Sequence, residues 1–305
     1  MKGLTTVWRR ALALAAALVL ATSAGVAGAD TSRFGETLLW RLDPPGGGQS
    51  SYLLGTIHVV DERLQPAIAR ALERLDETGA LVVEVDVSDA AQLDVINAML
   101  LPDGRTLPEI IGGDQFDRLA EIAAGYGLPA EFLTRLAPWG AALMISVPVE
   151  QIERMASGAP VFDQSLVDAA DARRMPVEIL ESVEEQIAAF ADHPEADQVT
   201  MLGQALDLHP RLDAMVAEMM DRYLDDDLAG LAEVALREMD MGDDGLSERV
   251  LAALIVDRNH RMAERVIPLL ETRPHLVAVG ALHLPGPEGL LNLLTQAGWT
   301  VKPSR

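Results

Sequence analysis

The 305-residue chain contains no cysteine, and its only lysines are Lys2 and Lys302. Without cysteine there can be no disulfide, no thiolate nucleophile or ligand, and no lipid attachment at a signal-peptide cysteine. With lysine confined to the two ends, a P-loop lysine, a Schiff base or a Ser–Lys dyad is excluded unless Lys302 carries it. Aromatic residues make up 4% of the chain, too few for a platform on which bases stack. Positive charge is scarce as well. Of the 24 basic residues, three (Lys2, Arg9, Arg10) lie in the first 29 positions; the remaining 21 stand against 47 acidic residues, a net of −26. Such a chain repels nucleic acid and anionic membrane surfaces and attracts cations.

What is present begins with an export pattern. A basic start is followed by the apolar run Ala11–Ala21 and by Ala27-Gly28-Ala29, an A-x-A cleavage site. Cleavage after Ala29 is expected, giving a periplasmic or secreted protein with no stable membrane insertion; the alternative is an uncleaved anchor. The Arg9-Arg10 pair lacks the rest of a twin-arginine signal. The ~275 residues that follow suffice for one large core without disulfides, so residues 30–305 are read as a single domain.

Two stretches are alike. Tyr52-Leu53-Leu54-Gly55-Thr56-Ile57-His58 and Leu276-Val277-Ala278-Val279-Gly280-Ala281-Leu282-His283 are each an apolar run ending in Gly-x-x-His. Around the first, residues 37–42 and 51–57 read as a hairpin across Pro44–Gly48, 64–75 as an amphipathic helix, and 81–86 as a strand. Residues 88–101 read as a helix capped by Ser88. Helices follow from 114 to 153, broken at Gly125-Tyr126-Gly127 and Pro138, and again over 163–173. Residues 176–180 form a short strand, and Ser182 with Glu185 a capping box. Helices run to Leu236, and 249–270 is a long helical pattern. A strand at 275–279, a helix at 288–297 and a strand at 299–302 close the chain. The expected class is α/β, with a mixed sheet built from the N- and C-terminal β-α units that carry the two Gly-x-x-His motifs. A large α-helical region lies between them.

A strand that ends in Gly-x-x-His places a histidine at the carboxyl rim of a sheet, where ligands of open α/β sheets bind. His58 and His283 would stand in comparable places. Glu84 lies at the end of the neighbouring strand, where a buried charge needs a partner. Two imidazoles and a carboxylate suit a divalent metal such as Mn, Co or Zn. In the 249–270 pattern, Val256, Met262 and Val266 are expected to pack. Arg258 then has two readings: a grip on substrate or an oxyanion, or an ion pair with Glu84, Asp257 or Glu264. His260 and Glu264 could form a solvated pair. His193, His209 and His275 are structural by context. The tract Asp240–Gly245 fails the EF-hand ligand spacing and reads as a loop. No H-E-x-x-H, G-x-S-x-G or G-x-G-x-x-G motif occurs, which leaves metal-assisted hydrolysis as the best-supported class.

From about Leu38 to Trp299 the chain resembles the TraB/GumN family, whose animal relatives are the Tiki metalloproteases. The resemblance rests on Leu53–Val59, Val83-Glu84, Leu136-Ala137-Pro138-Trp139, Gly158–Asp163, Pro176–Gln186, Asp257-Arg258-Asn259 and Val279–Gly286. Ser182 stands where relatives commonly have Thr. The resemblance implies an α/β fold related to the erythromycin esterase and ChaN-like group. It implies a site of His58, His283 and Glu84 as metal ligands, with catalytic roles for Glu84, Arg258 and Asn259. The expected activity is a metal-dependent hydrolase, a peptidase acting on a peptide or small-molecule substrate. The alternatives are a non-catalytic protein that sequesters a peptide or metal, and a metal-independent esterase-type hydrolase with His58 or His283 as base. Glu84 as ligand and Glu84 as general base fit the sequence equally.

Overall fold

In the computed structural model, residues 34–86, 89–237 and 245–304 are described. The signal segment, Ser88 as a helix cap, and all of the acidic tract except Gly245 lie outside them. Six strands form one mixed sheet: β1 (Leu39–Asp43), β2 (Ser51–Thr56), β3 (Leu81–Val85), β4 (Val177–Glu181), β5 (Leu276–Gly280) and β6 (Thr300–Pro303). Their spatial order is β4-β3-β5-β2-β1-β6. The inner pairs β3–β4, β3–β5 and β2–β5 are parallel, and β1 is antiparallel to both β2 and β6. The fold is therefore α/β with a mixed sheet, as the sequence predicts. Strand β5, from the far end of the chain, is inserted between β2 and β3.

Composition explains this placement. Every residue of β2 is buried, and so are four of the five residues in β3 and in β5. Strands that are apolar on both faces belong inside a parallel sheet covered on both sides. The helix Gln65–Thr78 joins β2 to β3. It buries Ile68, Ala71 and Leu75, spaced three and four apart, and ends at Gly79 in the left-handed conformation (φ 74°).

Among the described residues between β3 and β5, helices predominate, with β4 as the one strand. The helix Pro138–Ile145 is buried at all eight positions, the mark of a helix enclosed on every side. Its Trp139 stacks on Phe190 with ring centroids 6.2 Å apart. This helical region has its own apolar cluster (Leu119, Leu143, Met201), separate from the cluster beneath the sheet (Leu53, Leu81, Met262, Val279). Ser182 and Glu185 form the predicted capping box, which opens the helix Val183–Ala191. The last helix is Leu290–Gln296, shorter than 288–297. Among the described residues, no helix is long and apolar enough to cross a membrane.

The long 249–270 pattern departs from expectation in one respect. It begins as an α-helix, Leu246–Leu251, passes through a π turn, Ala252–Val256, and continues as the helix Asp257–Thr272. A π turn inserts an extra residue and rotates every later side chain relative to a regular helix. Leu254 is therefore the packed residue while Val256 is only half-buried, and Arg258 and Asn259 turn inward.

Candidate active site at the carboxyl edge of the sheet

Strands β2, β5 and β3 are neighbours and parallel, so their carboxyl ends lie side by side. His58 follows β2, His283 closes the short 3₁₀ turn Ala281–His283 after β5, and Glu84 is the fourth residue of β3. The sheet thus brings together the three residues that sequence reasoning selected. They surround the bare Cα of Gly280. A methyl group there would stand 3.4 Å from His58 Nε2, 3.5 Å from Glu84 Oε2 and 3.5 Å from His283 Cδ2.

The two glycines of the repeated motif do different work. A methyl on Gly55 would come within 2.9 Å of the Ala281 backbone and 3.1 Å of Leu284, so this glycine lets the two motifs press together. Gly280 instead leaves open the space between the polar groups.

Each imidazole is oriented from outside. His58 Nδ1 lies 3.0 Å from Asp163 Oδ2, while Thr56 Oγ1 donates to Asp163 Oδ1 at 2.8 Å. The turn into His58 is fixed by Tyr223, whose hydroxyl donates to the Gly55 carbonyl at 2.8 Å. The segment after it is held by Gln151, which accepts from the Val60 amide at 2.7 Å. His283 Nδ1 lies 2.7 Å from Asn259 Oδ1. The Asn259 amide nitrogen donates to the Glu288 carbonyl at 2.8 Å, which fixes its oxygen as the acceptor and His283 Nδ1 as the donor. His283 Nε2 is then a free lone pair, 3.9 Å from Glu84 Oε2. His58 Nε2 is buried and has no hydrogen-bond partner among the described residues.

Glu84 is held by three donors. Arg258 Nη2 and Gln186 Nε2 (2.9 Å) donate to Oε1, and the Gly280 amide donates to Oε2 at 3.0 Å. Burial opposes the charge of Glu84. The Arg258 guanidinium, followed by His283, His58 and the Gly280 amide, overcomes that penalty and holds the carboxyl well below the usual range. Arg258 also donates to Glu181 Oε2 from Nε at 2.9 Å and Nη2 at 2.6 Å. Of the two readings of Arg258, the ion pair is the one formed, with Glu84 as foreseen and with Glu181 as a second partner. Burial works against its charge, but the two carboxylates raise its pKa further. For His283, burial and then the nearby Arg258 push the pKa down to about 3, so the ring is neutral. For His58, burial lowers the pKa, but Asp163 outweighs it and the net direction is up.

Among the described residues the site thus holds three buried carboxylates, Glu84 and Glu181 on Arg258 and Asp163 on His58, against one buried guanidinium, with the half-exposed Arg261 at 3.5 Å from Glu181. With both histidines neutral the cluster is one positive charge short. A proton on His58 or a bound cation restores the balance. Among the described residues, no three His, Asp or Glu side chains stand close enough to form a ready-made metal cluster.

Asp163, Glu181 and Gln186 were not singled out as site residues by sequence. Glu181 carried a usable signal, being an acid at the end of an apolar strand like Glu84. Asp163 and Gln186 read locally as first-turn helix residues, and their one signal is that each closes a segment on which the family resemblance rests. His260 pairs with Glu288 at 2.7 Å rather than with Glu264. His209 contacts the Ile145 carbonyl and His275 the Arg273 carbonyl, consistent with structural roles.

The family model described as TraB/PrgY/gumN matches residues 38–303. The chain belongs to the TraB/PrgY/gumN family. Proteins similar to the chain include the uncharacterized protein YbaP of Shigella flexneri, 26% identical over 249 residues, covering 81% of this chain and 89% of YbaP. The metalloproteases TIKI2 and TIKI1 of Danio rerio are each 24% identical over 87% of this chain. This TraB/PrgY/gumN chain spans 60% and 63% of their lengths.

Proposed function

We propose that this protein is a metal-dependent hydrolase acting on peptides, with His58, His283 and Glu84 as the ligands of a divalent ion. One observation carries the reading. Both imidazoles have Nδ1 set against an outside oxygen, of Asp163 and of Asn259; His58 Nε2 is buried without a hydrogen-bond partner among the described residues, and His283 Nε2 turns toward the Glu84 carboxylate, 3.9 Å away. Metal-ligating histidines are characteristically oriented through their second nitrogen in this way. The donor set of two imidazole nitrogens and a carboxylate oxygen fits Zn, Co or Mn. The Danio rerio relatives, named metalloproteases, point in the same direction. A divalent ion there would supply Lewis-acid polarisation of a scissile carbonyl.

The remaining chemistry belongs to the chain. Glu84 is tied by Arg258, Gln186 and the Gly280 amide, which suits a ligand better than a general base that must gain and lose a proton. Asn259 fixes the tautomer of His283, and Asp163 orients His58. Arg258 is fully engaged with two carboxylates, so its part is to hold Glu84 in place and charged.

A second reading rests on the His58–Asp163 contact: an imidazole backed by a carboxylate and with Nε2 free is also a general base for metal-independent hydrolysis. Metal analysis of the purified protein, combined with peptide-library hydrolysis with and without Mn, Co or Zn, separates the two. Metal-dependent cleavage that vanishes in His58→Ala supports the first reading. Cleavage that survives chelation supports the second.

A further inference from the structure

The two edges of the sheet are built differently. The outer edge at β6 carries Lys302 and Pro303, residues that discourage another strand from pairing. The opposite edge, β4, reads Val-Glu-Ile-Leu-Glu and carries neither. It pairs with β3 alone, in the register Leu81↔Val177 and Val83↔Ile179, and the Leu81 amide donates to the Pro176 carbonyl at 3.0 Å, a phase that turns the amide and carbonyl groups of Val177 and Ile179 outward. Among the described residues nothing is hydrogen-bonded to them. Ile179 is 48% exposed, the most exposed large apolar residue described.

Beside this edge lies a groove of about 700 Å³. Five carboxylates and one guanidinium line it. Glu185 is matched by that guanidinium, Arg265, at 2.6 Å, and Glu181 by Arg258. Asp94 and Glu184 add negative charge that no cation in the groove offsets. Glu181, two residues beyond Ile179, ties the groove to the site through Arg258 and Glu84.

We infer that β4 and this groove receive an extended, basic peptide segment, which adds to the sheet as a seventh strand. The inference rests on the peptidase reading above and deepens it by naming the substrate class. Main-chain pairing would supply affinity without regard to sequence, and the acidic rim would favour Lys or Arg side chains. An added strand would lie three strand spacings, roughly 14 Å, from β5. About four extended residues bridge that span, so a segment held on β4 can present a peptide bond beside Gly280.

The test uses a fluorescein-labelled ten-residue peptide alternating valine and lysine. It is titrated by anisotropy against the full chain in EDTA, so that cleavage does not consume the probe. N-methylation of one alternate set of residues should weaken binding about tenfold, while methylation of the other set leaves it unchanged. Exchanging Asp94 and Glu184 for lysine should weaken the valine–lysine peptide and strengthen a valine–glutamate one. Equal binding of all N-methylated forms, or no reversal by the charge exchange, overturns the inference. So does a dimer in sedimentation that Ile179→Pro dissolves while no peptide binds, because a second copy would then be the occupant of the edge. Cleavage is read separately. Peptides that are cut with metal but bind without the alternating pattern sink the edge inference alone; peptides that bind in that pattern but are never cut sink the peptidase reading alone.

Discussion

Asn259 Oδ1 accepts from His283 Nδ1 at 2.7 Å while its amide nitrogen is spent on the Glu288 carbonyl. The asparagine cannot flip without losing both bonds, so it sets which nitrogen of His283 faces Glu84. Asn259→Ala should lower metal affinity and metal-dependent activity by about 10–100-fold, the usual cost of removing a partner behind a ligand. Metal titration read together with kcat/KM checks this; an unchanged metal affinity would show that the contact serves packing alone.

Among the described residues, Arg258 is the one guanidinium buried between Glu84 and Glu181. Arg258→Met should destabilise the fold by about 3–5 kcal/mol, because buried Glu84 would lose its guanidinium partner and buried Glu181 would keep only the half-exposed Arg261 at 3.5 Å. Urea unfolding measures it. The double variant Arg258→Met, Glu181→Leu should recover part of the loss by removing one stranded charge. A single variant that unfolds like the wild type would mean that the cluster is solvated.

The two motif glycines separate folding from function. Gly55→Ala drives a methyl to 2.9 Å from the Ala281 backbone, and about 1–3 kcal/mol of stability should be lost. Gly280→Ala has φ −52° and ordinary contact distances of 3.4–3.5 Å, so its stability should change by less than about 1 kcal/mol. Its methyl nevertheless sits among His58, Glu84 and His283, and metal-dependent activity should fall steeply. Paired melting curves and assays check both; equal activity in Gly280→Ala and wild type would place the reaction elsewhere.

How much of this was legible in the sequence depends on range. His58, Glu84 and His283 were readable because each stands at the end of an apolar strand, where local pattern alone predicts a rim position. The partners Asp163 and Glu181 lie 105 residues beyond His58 and 97 beyond Glu84, and nothing local marks which acid will meet which base. Glu181 instead of Asp257 or Glu264 as the second partner of Arg258 follows from β4 lying next to β3, a topological fact. The π turn at Ala252–Val256 is equally invisible to a 3.6-residue periodicity, which, carried back from Met262 and Val266, does not favour Leu254 over Val256. The signal segment and most of the acidic tract lie outside the described residues.

Acid stability should carry the signature of Glu185. Arg265, followed by the Ser182 amide, brings its pKa from 4.5 down to about 2. A carboxyl depressed on folding contributes fully above its unfolded value, and the contribution is lost as pH falls through the folded one. Glu185→Gln should therefore lower Tm at neutral pH, and the gap from wild type should close between about pH 4.5 and pH 2. A gap independent of pH would assign the effect to helix capping rather than to charge.

Whether His58, His283 and Glu84 together bind a divalent ion is decided by metal stoichiometry. Purified wild type and the His58→Ala and His283→Ala variants are equilibrated with Co²⁺, and bound metal is counted per chain by elemental analysis, with the cobalt visible spectrum recorded. The wild-type chain should hold one ion, with a spectrum of mixed nitrogen and oxygen ligation, and both variants should lose it while they remain folded. No bound ion in the wild type, or the same ion and spectrum in all three proteins, would contradict this ligand set.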